Sequence, residues 1–96
     1  MKGYVLVLVN IDNPEVYREV YSAFVLDTLA PYGGRFLVRG GPHQLLEGDL
    51  MPDRVVVIEF DSYEKALAWY NSDTYQALRL KRVPLSKANF FVVQGV

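Results

Sequence analysis

The feature that most limits the fold of this chain is a set of strand-like segments that are apolar on both faces. Side chains alternate between the faces of a strand, so a sheet with helices on one side and water on the other shows alternating apolar and polar residues. Segments 3–11, 54–60 and 89–94 are instead apolar at both odd and even positions. The two faces of the first segment carry Val5, Val7, Val9 and Ile11 on one side and Tyr4, Leu6 and Leu8 on the other. Both faces of the sheet built from these segments must therefore be covered.

Four strands are predicted along the chain. Residues 3–11, 35–39, 54–60 and 89–94 are rich in β-branched and aromatic side chains, which favour strands. Glycines and a proline at 40–42 end the second strand, and Gln44 to Glu47 are expected to continue its pairing after a β-bulge. The paired glycines at 33–34 and 40–41 are interpreted as backbone turns that need positive φ rather than as a phosphate-binding loop.

Two helical regions are predicted between the strands. The first begins at Pro14 after a capping Asp or Asn and ends near Pro31. Its residues at helical spacing are Tyr17, Val20, Tyr21, Phe24 and Thr28. The second is capped by Ser62, is interrupted and capped again at 71–73, and ends before Pro84. Its first piece carries Tyr63, Ala66, Leu67 and Tyr70 on one face, and its second piece carries Tyr75, Leu78 and Arg82.

The order β-α-β-β-α-β predicts one α+β domain over residues 1–96, a ferredoxin-like sandwich with two helices on one face of a four-stranded antiparallel sheet. In that arrangement the first and third strands are central, and they are also the two most apolar. The helices cover one face only. The same face of a second copy is the economical cover for the other, which predicts a homodimer; cover by loops or the C-terminal segment of the same chain is the alternative.

Composition limits the classes of partner and of chemistry that fit this chain. The net charge of −1 argues against nucleic acid or an anionic membrane as the main partner, and the basic cluster Arg79, Lys81, Arg82 and Lys87 is interpreted as a solvated helix end. The apolar run near the N-terminus is too short for a signal peptide or a membrane span. The chain has no cysteine, which excludes thiol chemistry and fits a cytoplasmic protein. No spacing typical of a metal site or cofactor loop occurs, so none is expected.

Several segments resemble a known family. They are Tyr32-Gly33-Gly34-Arg35-Phe36-Leu37-Val38-Arg39-Gly40-Gly41, Leu46-Glu47-Gly48, Val57-Ile58-Glu59-Phe60 and the run from Trp69 to Leu78. With them the chain resembles the domain of unknown function 1330, within the dimeric α/β-barrel superfamily that also holds the antibiotic-biosynthesis monooxygenases. The resemblance implies the ferredoxin-like fold and a dimer of the α/β-barrel type. It implies little about activity, because a shared fold does not transfer chemistry.

Charged residues inside apolar strands are the first candidates for a site. By strand alternation Glu59 shares a face with Val55 and Val57, and Arg39 shares a face with Arg35 and Leu37 on the neighbouring strand. A carboxylate among apolar residues needs a partner, so Arg39 and Glu59 are expected to form an ion pair, in the sheet or across the dimer. The alternative is that both line a pocket for a polar group of a substrate.

The remaining candidates are aromatic residues and one histidine. Tyr17, Trp69 and Tyr70, with Tyr21 and Tyr75, belong either to the core or to the lining of an apolar ligand pocket between helix and sheet. His43 follows the glycines and proline at 40–42 on a predicted loop. It is either a surface residue or a general base, since histidine alone titrates unperturbed near neutral pH.

Two functions remain open at this point. The first is a homodimer that binds a small organic ligand or has an accessory role, because the chain offers no nucleophile or metal set. The second is a cofactor-independent monooxygenase or isomerase acting on an aromatic or polyketide-like substrate, which itself supplies the reactive carbanion. A cavity that reaches Arg39, His43 or Trp69 favours the enzyme, and a filled interior favours the binding or structural role.

Overall fold

The fold is built on an antiparallel sheet of four strands. A computed structural model describes residues 1–96, and its strands are β1 (Gly3–Ile11), β2 (Arg35–Arg39), β3 (Arg54–Phe60) and β4 (Ser86–Gln94). The strand order is β2-β3-β1-β4, and every neighbouring pair is antiparallel. This confirms the predicted topology with β1 and β3 at the centre. β4 begins three residues before the predicted start, because Ser86 already pairs with Ile11.

Three helices lie on one face of this sheet. They are α1, which comprises Pro14–Tyr17, a π-helical turn Arg18–Ser22 and Ala23–Leu29; α2 (Tyr63–Tyr70); and α3 (Asp73–Arg82). Short 3₁₀ turns follow α1 at Ala30–Tyr32 and α3 at Val83–Leu85. Each helix begins at a side chain that accepts a backbone N–H bond: Asn13 for α1, Ser62 for α2 and Ser72 for α3. The second helical region is therefore two helices, divided where the sequence predicted an interruption.

The π-helical turn changes which residues of α1 face the sheet. Tyr17 and Tyr21 are buried as predicted, but Phe24 is 47% exposed and Val25 takes its place in the core. A π turn contains one more residue than an α turn, so the positions after it are rotated relative to a regular helix. Beyond the turn the buried residues of α1 are Val25, Thr28 and Leu29. The prediction that Phe24 lies on the inner face was wrong for this reason.

The core fills the space between the helices and one face of the sheet. Its fully buried side chains of largest volume are Trp69, Tyr75, Phe60, Leu29, Ile58, Val5 and Val9. The molecule measures 31 × 31 × 17 Å, so it is two layers thick and has no third layer on the other side of the sheet. Gly33 ends the α1 region with φ +67°, a conformation that favours glycine.

The other face of the sheet, here called the open face, carries apolar side chains without a covering layer. It is formed by Tyr4, Leu6, Leu8, Val38, Val55, Val57, Phe91 and Val93. Phe91 and Val93 remain 53% and 44% exposed, and the loop that holds His43 and Pro52 reaches only the corner at Leu8 and Val55. The accessible surface is 6099 Å², against about 5,600 Å² expected for a folded monomer of this mass. A large part of the open face thus faces solvent in the single chain.

A β-bulge in β2 decides which side chains of that strand reach each face. Phe36 pairs with Ile58 and Val38 pairs with Val57, so Leu37 is an extra residue without a partner. The bulge therefore lies inside β2, and not after Pro42 as expected. Residues 41–53 contain no strand, which makes the predicted pairing of Gln44 to Glu47 wrong. A proline without an N–H at position 42 and a positive φ at Gly48 both oppose a continuing ladder there.

Candidate functional site

A cavity lies between α1 and the helix-facing side of the sheet; we call it the helix–sheet cavity. It has a volume of about 40 Å³, which gives room for a few methyl-sized groups. Nine apolar side chains line it: Val7, Tyr17, Tyr21, Val25, Phe36, Val56, Ile58, Trp69 and Phe90. Three further residues, Ser22, Arg39 and Arg54, complete the wall. The cavity is therefore mostly aromatic and aliphatic, with a few polar groups, which is the usual composition of a small-molecule site.

The polar atoms of the aromatic wall are mostly satisfied within the chain. Trp69 Nε1 donates to Thr28 Oγ1 at 2.9 Å, and Thr28 in turn donates to the carbonyl of Val25 at 2.7 Å. The hydroxyls of Tyr21 and Tyr75 share a hydrogen bond of 2.8 Å. Burial raises the pKa of both phenols, so they stay neutral. Trp69 and Tyr21 thus offer ring surface to a ligand rather than hydrogen bonds.

Tyr17 differs from Tyr21, the other tyrosine of the cavity wall, because the Tyr21 hydroxyl bonds to Tyr75 whereas the Tyr17 hydroxyl makes no hydrogen bond within the chain. Its side chain is buried, and this burial raises its pKa to about 12 in spite of the nearby cations Arg82 and Arg54. At neutral pH the hydroxyl therefore keeps its proton and acts as a donor, not as a base.

Three arginines surround the outer side of the cavity in what we call the arginine cleft. The cleft is an open space of about 690 Å³ lined by Pro14, Glu15, Arg18, Ser22, Ala23, Arg39, Gly40 and Arg54. Ser22, Arg39 and Arg54 line both the cleft and the helix–sheet cavity, so these three residues form the wall between them. None of the four ion pairs of the chain involves Arg18, Arg39 or Arg54. The cleft therefore holds three cations against the single carboxylate of Glu15.

Aromatic rings and the π-helical turn hold two of these guanidinium groups. Arg39 lies over the ring of Phe36, 4.2 Å from its centre, and its Nη2 donates to the carbonyl of Ser22 at 2.9 Å. Arg54 lies 5.8 Å from the centre of the Tyr17 ring. Its side chain also runs beside Gly40, which has φ +71° and where a Cβ would come within 3.1 Å of Arg54 Nε. Stacking holds a planar guanidinium by its face and leaves its N–H edges free for an anion.

The predicted pair of Arg39 and Glu59 does not form. The bulge at Leu37 places Arg39 beside Val56 on the helix-facing side, whereas Glu59 lies on the open face opposite Arg35. Arg35 Nε donates to Glu59 Oε1 at 2.8 Å, and this bond lowers the pKa of the Glu59 carboxyl below its usual value. Arg39 and Glu59 therefore belong to opposite faces, and Glu59 is not part of the helix–sheet cavity.

Two other predicted site residues also lie outside the cavity wall. Tyr70 packs in the aromatic cluster next to it, with its ring centre 5.8 Å from that of Phe90 and 5.5 Å from that of Tyr75. His43 is on the exposed loop, where Nε2 donates to the carbonyl of Pro52 at 2.8 Å. His43 thus joins two parts of this loop by a hydrogen bond and does not line the cavity. Of the sequence candidates, the structure brings together Tyr17, Tyr21, Trp69 and Arg39.

Sequence reasoning missed two arginines in this region. Arg54 was included only as the first residue of β3, although it shares a strand face with Val56 and Ile58. Arg82 was placed in a solvated basic cluster, yet it is 6% exposed and lies 4.6 Å from the centre of the Phe90 ring. Its helical spacing from Tyr75 and Leu78 was the available signal. Arg82 has no carboxylate partner, and its Nε makes no hydrogen bond.

The sheet, the three helices on one face and the cavity between them define a ferredoxin-like α+β protein. Solved structures with the same fold include a protein of unknown function from Rhodopseudomonas palustris, with a TM-score of 0.75 and 16% identity over 99% of this chain and 82% of that one. SnoaB, a cofactor-independent oxygenase from Streptomyces nogalater, has a TM-score of 0.68 and 12% identity, covering 99% and 93%. A dimeric ferredoxin-like protein of unknown function from Thermobifida fusca has a TM-score of 0.54 and 17% identity, covering 97% and 92%.

The chain belongs to the family described as Domain of unknown function (DUF1330), whose model matches residues 2–96. This confirms the resemblance found in the sequence. No match exists among the curated proteins. No helix has both the length and the apolar character needed to cross a membrane.

Proposed function

We propose that this protein is a homodimer that binds one small, largely apolar organic molecule in the helix–sheet cavity of each protomer. The observation that carries the proposal is the cavity itself, a space inside an otherwise packed core that is walled by aromatic rings and edged by unpaired arginines. A domain that only needed stability would fill this space, because empty volume forfeits packing energy. Tyr17, Trp69 and Arg39 are the proposed ligand contacts among the residues singled out by sequence. The protein is further proposed to work in the cytoplasm, since a chain without cysteine suits a reducing compartment.

The proposed dimer rests on the open face. Its centre is formed by Leu6, with Val57 on one side and Phe91 on the other. Contiguous apolar surface of this kind is typical of protein–protein contacts, and an identical face related by a twofold axis covers it symmetrically. The solved structure from Thermobifida fusca is described as a dimeric ferredoxin-like protein, which supports a dimer for this fold.

The alternative function is a cofactor-independent monooxygenase or isomerase, and the fold shared with SnoaB favours it. Such chemistry needs a base near the substrate unless the substrate is itself acidic. The titratable groups of the cavity are arginines and tyrosines, and burial raises the pKa of Tyr17 and Tyr21. His43, the first candidate for a base, bonds to Pro52 outside the cavity. Binding without chemistry is therefore the better supported proposal.

The single tryptophan of the chain reports directly on the cavity, since Trp69 forms part of its wall. We expect 4-methylpentan-1-ol, a small neutral molecule that does not absorb where tryptophan does, to change the Trp69 fluorescence saturably. Val56→Phe fills the cavity and should abolish the response, whereas Val83→Phe, at a residue that is 47% exposed, should leave it intact. A response of equal size in Val56→Phe, or none in the parent, contradicts the proposal. Oxygen uptake with an aromatic ketone that readily forms a carbanion would support the enzymatic alternative instead.

A further inference from the structure

From the arginine cleft we infer that the ligand is a carboxylic acid bound as its anion, with the carboxylate between Arg39 and Arg54 and a short apolar group in the helix–sheet cavity. This inference rests on the proposed function and adds the chemical class of the ligand. Arg39 and Arg54 are common to the cleft and the cavity, so a molecule that extends from one space to the other passes between them.

The positive charge of the cleft favours an anionic ligand group over a neutral one. Arg18, Arg39 and Arg54 line one cleft without an ion-pair partner, while the other arginine in a strand, Arg35, is paired with Glu59 and Asp61. Like charges near each other raise the free energy of the folded chain, and an anion in the cleft relieves that repulsion. A ligand that neutralises part of this charge therefore gains affinity that a neutral analogue lacks.

The geometry selects a carboxylate among small anions. The Arg39 guanidinium is fixed by Phe36 on its face and by the Ser22 carbonyl at Nη2, which leaves its other N–H groups free. Such a planar fork matches the two coplanar oxygens of a carboxylate. The Tyr17 ring lies 5.8 Å from the Arg54 guanidinium and forms part of the same cavity wall, so the second guanidinium is also held by an aromatic face.

The size of the cavity limits the apolar part of the ligand. A volume of about 40 Å³ has room for about three methyl-sized groups, such as the branched end of a short aliphatic chain, and excludes a fused ring system. Arg39 is exposed and Arg54 is half-buried, so the wall that they form with Ser22 lies on the solvent side of the cavity, where a ligand would enter.

The test compares 4-methylpentanoate with 4-methylpentanamide, which has the same shape and no charge, by Trp69 fluorescence at neutral pH. We expect the acid to bind about tenfold more tightly or better, and its advantage to shrink in high salt. Arg54→Met and Arg39→Met should each weaken binding of the acid by roughly tenfold and weaken binding of the amide much less, since the amide carries no charge for the guanidinium to neutralise. Lys65→Met removes the same charge from an exposed position outside the cleft and should change the affinity for neither ligand.

The outcomes separate this inference from the function on which it rests. Equal affinities of the acid and the amide, with a saturable response to both, overturn the inference that the ligand is a carboxylate. The cavity then remains a binding site. No response to the acid, the amide or 4-methylpentan-1-ol overturns both proposals. If Arg39→Met does not fold because the contact with Ser22 is lost, Arg54→Met and the salt titration decide the question in the same way.

Discussion

At the scale of single residues, the two arginines of β2 have different roles because they lie on different faces. Arg35 bonds to Glu59 at 2.8 Å and to Asp61 at 3.3 Å on the open face, whereas Arg39 lies over Phe36 at the cavity. The bond from Arg35 lowers the pKa of Glu59, and bonds from Lys2 and Arg35 lower that of Asp61. Glu59 and Arg35 thus form the ion pair that the sequence had assigned to Glu59 and Arg39.

This assignment predicts the coupling between substitutions. Arg35→Met and Glu59→Gln should couple in a double-mutant cycle of thermal melts, since each single change removes the partner of the other group. Arg39→Met combined with Glu59→Gln should be additive, because these side chains do not touch. Additive effects for Arg35 with Glu59 would contradict the pairing.

The same pair predicts a dependence of stability on pH. Since the folded-state pKa of Glu59 lies below the unfolded value of 4.5, its contribution is fully present above that pH and is lost as pH falls through the folded value. An NMR titration of the parent should show this low pKa, and Arg35→Met should raise it towards 4.5. A Glu59 pKa unaffected by Arg35→Met would show that the ion pair is absent in solution.

At the scale of the elements, periodicity predicted most of the fold but not the site. β1, β2 and β3 were predicted with their observed bounds, because alternation and flanking turn residues mark them clearly. The cavity depends on two local changes in residue count: the bulge at Leu37 and the π-helical turn Arg18–Ser22. Each extra residue reverses or rotates every side chain after it, which moved Arg39 into the cavity wall and Phe24 out of the core. A strict period cannot reveal such insertions.

The bulge leads to a prediction about deletions. Removing Leu37 should leave Phe36 and Val38 opposite Ile58 and Val57, so every other side chain keeps its face. We expect the variant to fold, with a free energy of unfolding changed by about 1 kcal/mol or less, since Leu37 is 53% exposed. Deletion of Val57, which pairs with Leu6 in the regular β1–β3 ladder, exchanges the faces of the residues on one side of it and should prevent folding. Circular dichroism melts of both variants test this; an unfolded Leu37 deletion would contradict the assigned bulge.

At the scale of the whole molecule, the sheet has two apolar faces with different roles. The helix-facing side forms the core and the cavity. The open face has no covering layer in the single chain, and only 16 of 96 residues are buried, so the protomer has a thin core for its length. A second copy packed face to face would bury Leu6, Val57 and Phe91 of both protomers and supply the missing layer.

The mass in solution tests this central claim most directly. Sedimentation of the parent at micromolar concentration should give twice the 10.9 kDa of one chain. Phe91→Glu should give a folded monomer, because each of two carboxylates would be buried unpaired at a cost of several kcal/mol. Leu80→Glu changes a residue that is 68% exposed on α3, away from the open face, and should remain a dimer. A parent chain that sediments as a clean monomer under these conditions would contradict the account.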